Sequence, residues 1–157
     1  MKPNIDISDA ARSTVIEILN RLLSDEYLLL TKTRNYHWNV TGPQFNDLHK
    51  FFETQYDELN EFVDEIAERA RQLGGRAFGT LAEFAKTSRL VEHPGVAPAA
   101  PEMIRGLLDD HESIIRSLRA DIGPVNEKFG DVGTSDFLTG LLEKHEKMAW
   151  MLRAFGQ

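Results

Sequence analysis

The sequence predicts an all-α chain, a four-helix bundle whose second and third long helices are joined by a long crossover carrying a short helix. Three observations lead there. Apolar residues recur at three- and four-residue intervals through four long segments. No segment carries a strand pattern. Glycine and proline gather between the periodic segments, where helices must stop and restart.

Ser8 is placed to cap a first helix, along which Val15, Ile16, Leu19, Leu22, Leu23, Tyr27 and Leu30 recur up to about Trp38. "NVTGP", Asn39 to Pro43, stops it, and so short a connection favours antiparallel neighbours. A second helix runs from about Gln44 to Leu73, its apolar side drawn by Leu48, Phe52, Leu59, Phe62, Val63, Ile66 and Ala70. "LGG", Leu73 to Gly75, ends it. Residues 76–100 are poorer in pattern and hold one short helix in "LAEFAKTSRL". Pro101 opens a third helix at a first-turn position, carried by Met103, Ile104, Leu107, Leu108, Ile114, Ile115, Leu118 and Ile122, and "GP" at Gly123 and Pro124 is expected to break it. The fourth starts near Thr134 and carries Phe137, Leu138, Leu141, Leu142, Met148, Trp150 and Leu152. Four long helices with one long crossover are the ferritin-like form of the bundle. Residues 1–157 are read as one such domain, without internal repeat or low-complexity tract.

The bulk numbers narrow the function. A chain of 157 residues with 41% hydrophobic residues can bury one core. Eighteen basic residues against 25 acidic ones give a net charge of −7, so the surface should repel nucleic acid and anionic membranes and favour cations as guests. With no cysteine, disulfides, thiolate zinc sites and thiol catalysis are excluded, which suits a reducing cytoplasm. "MKPNIDISDA" lacks the apolar run of a signal peptide, and no run elsewhere has the length of a membrane span. A soluble cytoplasmic protein is expected.

Chemistry concentrates in "NYHWNVTGPQFNDLHKFFE", residues Asn35 to Glu53, which holds two of the five histidines. On the second helix, at about 100° per residue, Glu53 lies about 40° from His49, Asp64 about 60° and Glu68 about 100°. The four form one polar stripe beside the apolar one. Along the axis, Glu53 and Asp64 are roughly 16 Å apart, whereas a transition metal holds its ligands at about 2 Å. One copy of the helix cannot close a site. A second copy, antiparallel across a two-fold axis, brings His49 and Glu53 of one chain opposite Asp64 and Glu68 of the other, twice per interface. His37, at the end of the first helix, adds an imidazole at the same end. The ordinary within-bundle di-iron site needs Glu-x-x-His on two helices, and no glutamate here is followed three residues later by histidine. Taken singly, Glu53, Asp64 and Glu68 are equally a solvated face. His93, His111 and His145 are expected on the surface.

"HWNVTGPQFNDLHKFFE" followed by "YDELNEFVDEIAERARQLGG" resembles the Dps family, the mini-ferritins named as DNA-binding proteins from starved cells, and "HEKMAWMLRAF" resembles that family's last helix. The resemblance implies a dodecameric shell of four-helix subunits, built from two-fold dimers, that oxidises Fe(II), preferably with hydrogen peroxide, and stores Fe(III) as mineral, protecting against oxidative damage. It makes His37, His49 and Glu53 the ligands from one subunit and Asp64 and Glu68 those from its mate. Glu53 stands where the family usually has Asp, a longer side chain that still offers an oxygen. Imidazole and carboxylate without thiolate suit iron, with zinc or cobalt as substitutes. Trp38 is placed either to intercept stray oxidising equivalents or to pack at an interface. Glu127, Asp131 and Asp136 fall where family shells carry an acidic pore admitting Fe(II); Asp136 is equally explained by capping and the helix dipole.

Two other readings compete. In many family members nucleoid binding rests on a lysine-rich tail. "MKPNIDI" holds one lysine and one aspartate, and "RAFGQ" follows the last helix closely, so DNA binding is expected to be weak or absent and nucleoid association is not favoured. The other alternative is a structural bundle whose stripe forms only interface salt bridges.

Overall fold

The protein is described by a computed structural model, covering residues 2–156. Five helices follow in order: α1 (Asp9–Asn39), α2 (Phe45–Gln72), α3 (Leu81–Thr87), α4 (Ala100–Glu127) and α5 (Val132–Phe155). No strand occurs among the described residues. The fold is all-α and ferritin-like, with α1/α2 and α4/α5 as antiparallel hairpins and α3 in the crossover.

The ends of the helices follow local chemistry. The Ser8 hydroxyl accepts from the Ala11 N–H at 3.2 Å, starting α1 at the predicted cap. Beyond Leu73, Gly74 takes φ +86° and the Gly75 N–H returns to the Ala70 carbonyl at 3.1 Å, so "LGG" stops α2 as expected. A side chain at Gly75 would run into Ile16, its Cβ 2.6 Å from that residue, so the glycine also lets the end of α2 pack on α1. Thr80 and Glu83 cap α3 reciprocally.

The fourth-helix boundary differs from expectation. Pro124 does not end α4, which continues to Glu127. Proline removes one N–H, but so close to the C-terminus it disturbs little else, and Ala120, whose carbonyl loses that donor, is exposed to water. α5 accordingly begins at Val132, with Asp131 as its cap.

The core draws on all four long helices, with Leu19, Leu23, Leu29, Phe52, Leu59, Phe62, Leu107, Ile114, Leu138 and Leu152 among its buried members. Pairs across the bundle set the register. Lys32 meets Asp110 at 2.6 Å between α1 and α4, and Phe51 packs on Phe155 with ring centroids 4.6 Å apart between α2 and α5. The crossover is tied to α1 by one buried carboxylate: Asp25 accepts from the Ser88 hydroxyl at 3.0 Å, the Arg89 N–H at 2.6 Å and the Arg89 Nε at 2.8 Å.

Candidate metal centre

α1 ends two residues after His37, so its last carbonyls lack helical partners. The structure uses one of them. His49 Nδ1 lies 2.9 Å from the His37 carbonyl, and His37 Nδ1 lies 2.7 Å from the His49 carbonyl. A carbonyl only accepts, so both Nδ1 atoms carry hydrogen, and both Nε2 atoms keep a free lone pair when the rings are neutral. The rings stack at 3.8 Å between centroids and 20° between planes. The reciprocal pair therefore fixes tautomer and orientation at once, which is what imidazoles need as metal ligands. His37 is buried and His49 half-buried.

Two aromatics brace the pair. Phe45 stacks on His49 at 5.2 Å, and Tyr56 meets His37 edge-on at 5.2 Å with the Arg34 guanidinium 5.0 Å over its ring. Burial raises the Tyr56 phenol above its ordinary value, reinforced by the Glu53 and Asp57 carboxylates and opposed by Arg34. Tyr56 and Arg34 do not figure in the sequence reading. Their signal was available: Tyr56 follows Glu53 by three residues and Arg34 precedes His37 by three, each on a shared helical face.

Glu53, Asp64 and Glu68 are all exposed on α2. Among the described residues of one chain, no three histidine, aspartate or glutamate side chains come together as a metal cage. Trp38, beside His37, is 67% exposed.

The remaining acids divide. Asp131 is buried: its carboxylate accepts from the Thr134 N–H at 2.9 Å and from Arg69 at 3.0 Å. It is occupied in capping α5 and joining it to α2, while Asp136 lies within the helix and both Asp136 and Glu127 are exposed. Of the three histidines expected at the surface, His93 is exposed, but His111 and His145 are fully buried, which corrects the expectation. Each occupies the apolar stripe of its helix, His111 between Leu107 and Ile114, His145 between Leu141 and Met148, so the charged residues adjacent in sequence point elsewhere.

A ferritin-like domain model matches residues 16–157. A DNA protection during starvation protein of Bacillus anthracis is 39% identical over 141 residues, covering 90% of this chain and 95% of the relative. The chain belongs to the Dps family. This Dps protein is also 49% identical, over 97% of its length and 85% of the relative's, to an uncharacterized low temperature-induced protein of Nostoc. Among solved structures, Dps from Thermosynechococcus elongatus superposes with a TM-score of 0.88 at 31% identity, covering 93% of this chain and 92% of that one. Dps from Vibrio cholerae, described as one of a superfamily of ferritin-like diiron-carboxylate proteins, gives 0.93 at 28% identity, covering 99% and 97%. Family membership supports, in general terms, iron storage and protection from stress. No helix of this Dps protein, among the described residues, is long and apolar enough to cross a membrane.

Proposed function

We propose that this protein is a ferroxidase and iron store whose sites lie between subunits. The reciprocal hydrogen bonds of His37 and His49 support this reading most directly, because they present two imidazole lone pairs at one end of the exposed carboxylate stripe of α2. His37, His49 and Glu53 of one subunit would hold iron together with Asp64 and Glu68 of the two-fold mate. Fe(II) is here the substrate and Fe(III) the product. Two Fe(II) each lose one electron, the O–O bond of hydrogen peroxide breaks, and two protons complete two waters, so no hydroxyl radical leaves. Zinc, which suits the same donors, would occupy the cage without turning over.

A dodecameric shell would collect the oxidised iron. Exposed Trp38, Phe45, Val132 and Trp150 offer apolar surface for such contacts. With the Asp131 carboxylate engaged in its cap, an acidic entry pore would rest on Asp136 and Glu127. Anaerobic Fe(II) followed by peroxide tests the activity: oxidation well above the protein-free rate is expected, and a rate equal to that control would leave a structural bundle as the better reading.

DNA binding, which the starvation-protein relatives' name raises, is expected to be weak or absent, because a net charge of −7 repels phosphate. A gel shift with plasmid at about 150 mM salt should show free DNA. Tight retention there would overturn this part of the proposal.

A further inference from the structure

The crossover does not lie flat on the bundle. A cavity of about 440 Å³ remains between residues 89–98, the second half of α1 and the first half of α4. A smaller one of about 140 Å³ adjoins it, with Lys32, Tyr36, His93 and Val96 as shared walls. None of these residues belongs to the proposed iron site. The roof of the groove is held at both ends: Asp25 fixes Ser88 and Arg89, and Glu102 accepts from the Ala99 N–H at 3.2 Å. Between them the Val96 N–H returns to the His93 carbonyl at 3.2 Å, with Gly95 at φ +78° inside the turn.

Tyr36 distinguishes the larger cavity from loose packing. Its side chain is only 6% exposed, yet its hydroxyl makes no hydrogen bond among the described residues. A Cβ on Gly106 of α4 would stand 3.6 Å from that hydroxyl, so the phenol ends in the cavity, before a wall kept low by the missing side chain. A buried polar group aimed into open space is placed for a ligand. Burial, and next the Asp110 carboxylate, raise the Tyr36 phenol above its ordinary value, so it is a neutral hydroxyl that both donates and accepts.

Charge selects the kind of ligand. Lys32 and Arg89 line the larger cavity, but each is already held by a carboxylate, Asp110 at 2.6 Å and Asp25 at 2.8 Å. Asp109 in the larger cavity and Glu92 in the smaller are exposed and have no cationic partner among the described residues. Burial raises the Asp110 carboxyl, Lys32 opposes the rise and Asp109 adds to it, so negative charge is crowded here and a cation would relieve it. A bare metal ion needs ligands at about 2 Å, and the carboxylates and His93 form no such cage. An ammonium instead takes three hydrogen bonds of about 2.9 Å. Asp109, the second oxygen of Asp110 and the Tyr36 hydroxyl are three acceptors on the walls of one cavity. Val91 and Val96, 63% and 58% exposed, give the same cavity an apolar side that suits methylene groups.

We propose that the groove under residues 89–98 binds a linear aliphatic diamine, one ammonium seated among Asp109, Asp110 and Tyr36, the chain lying on Val96, and the other ammonium facing Glu92.

Calorimetric titration of the assembled protein at about 150 mM salt, where distant surface charges are screened, tests this. Putrescine should bind saturably, butylamine about fivefold more weakly for want of the second ammonium, and succinate not at all. Tyr36→Phe keeps the ring and removes only the hydroxyl, and should weaken putrescine by about tenfold. Gly106→Leu fills the space before the hydroxyl and should abolish saturable binding. Helix content and assembly size check both variants, and Tyr36→Phe leaves a complete test if Gly106→Leu does not fold. The proposal is overturned if the wild type binds no putrescine, or if butylamine or succinate binds as tightly. Unchanged putrescine affinity in Tyr36→Phe or in folded Gly106→Leu also overturns it, since the diamine would then sit elsewhere on the acidic surface. No iron enters the measurement, so such a result leaves the proposed oxidation of Fe(II) as it stands.

Discussion

Assemblies of His49→Ala chains alone, or of Asp64→Ala chains alone, are expected to oxidise Fe(II) at close to the protein-free rate, whereas assemblies reconstituted from an equal mixture recover about one quarter of wild-type activity, as two-fold symmetry requires. In the proposed arrangement each interface would hold two sites, and each site would take its histidines from one chain and Asp64 from the other. In a mixed pair, one site carries both substitutions and its twin carries neither. Random mixing makes half of the interfaces mixed, and half of their sites are intact. The loss in each parent should be large, since even partners that merely orient a metal's ligands are worth about 10–100-fold in affinity or activity. A mixture no more active than its parents would place the whole site within one chain and end the shared-site reading. His49→Ala also frees the His37 carbonyl and removes the donor to it, so Asp64→Ala, an exposed residue on α2, is the cleaner half of the experiment.

Asp25→Ala is expected to cost about 3–5 kcal/mol, the range for removing one partner of a buried ion pair. The Asp25 carboxylate is 1% exposed and accepts from Ser88, from the Arg89 peptide N–H and from the Arg89 guanidinium. Its loss strands a peptide donor and a cation against α1, and α3 loses the tie that follows it in the chain. For a domain of this size the midpoint of thermal unfolding should fall by roughly 6–20 °C. Cleavage by protease should begin within residues 88–98, next to the released segment, before the long helices are touched. A drop of less than about 1 kcal/mol would mean that the crossover is held by its apolar contacts, Phe84 on Tyr27 and buried Leu90, and the carboxylate is incidental.

Much of the bundle was legible in the sequence because helix period, cap chemistry and turn residues are local quantities. Ser8, "NVTGP", "LGG" and the apolar stripes mark α1 and α2 to within one or two residues of their bounds. Pro124 was misjudged because a proline's effect depends on how much helix remains after it and on whether the freed carbonyl meets water. The stripe of His49, Glu53, Asp64 and Glu68 was equally readable, since spacing along one helix converts directly into angle and distance. What the stripe meets is a matter of assembly.

The sequence by itself determined four helices, one crossover, and an acid-and-imidazole face too extended for a single chain to close around a metal. Only the tertiary structure decided that His37 and His49 lock each other's tautomers, that the Asp131 carboxylate is engaged in a cap, and that His111 and His145 lie in the core in line with Glu26. The reason is that hydrogen bonds across helices join residues distant in sequence, 119 positions apart for Glu26 and His145. Period tells which face a side chain takes, and only packing tells which partner stands there.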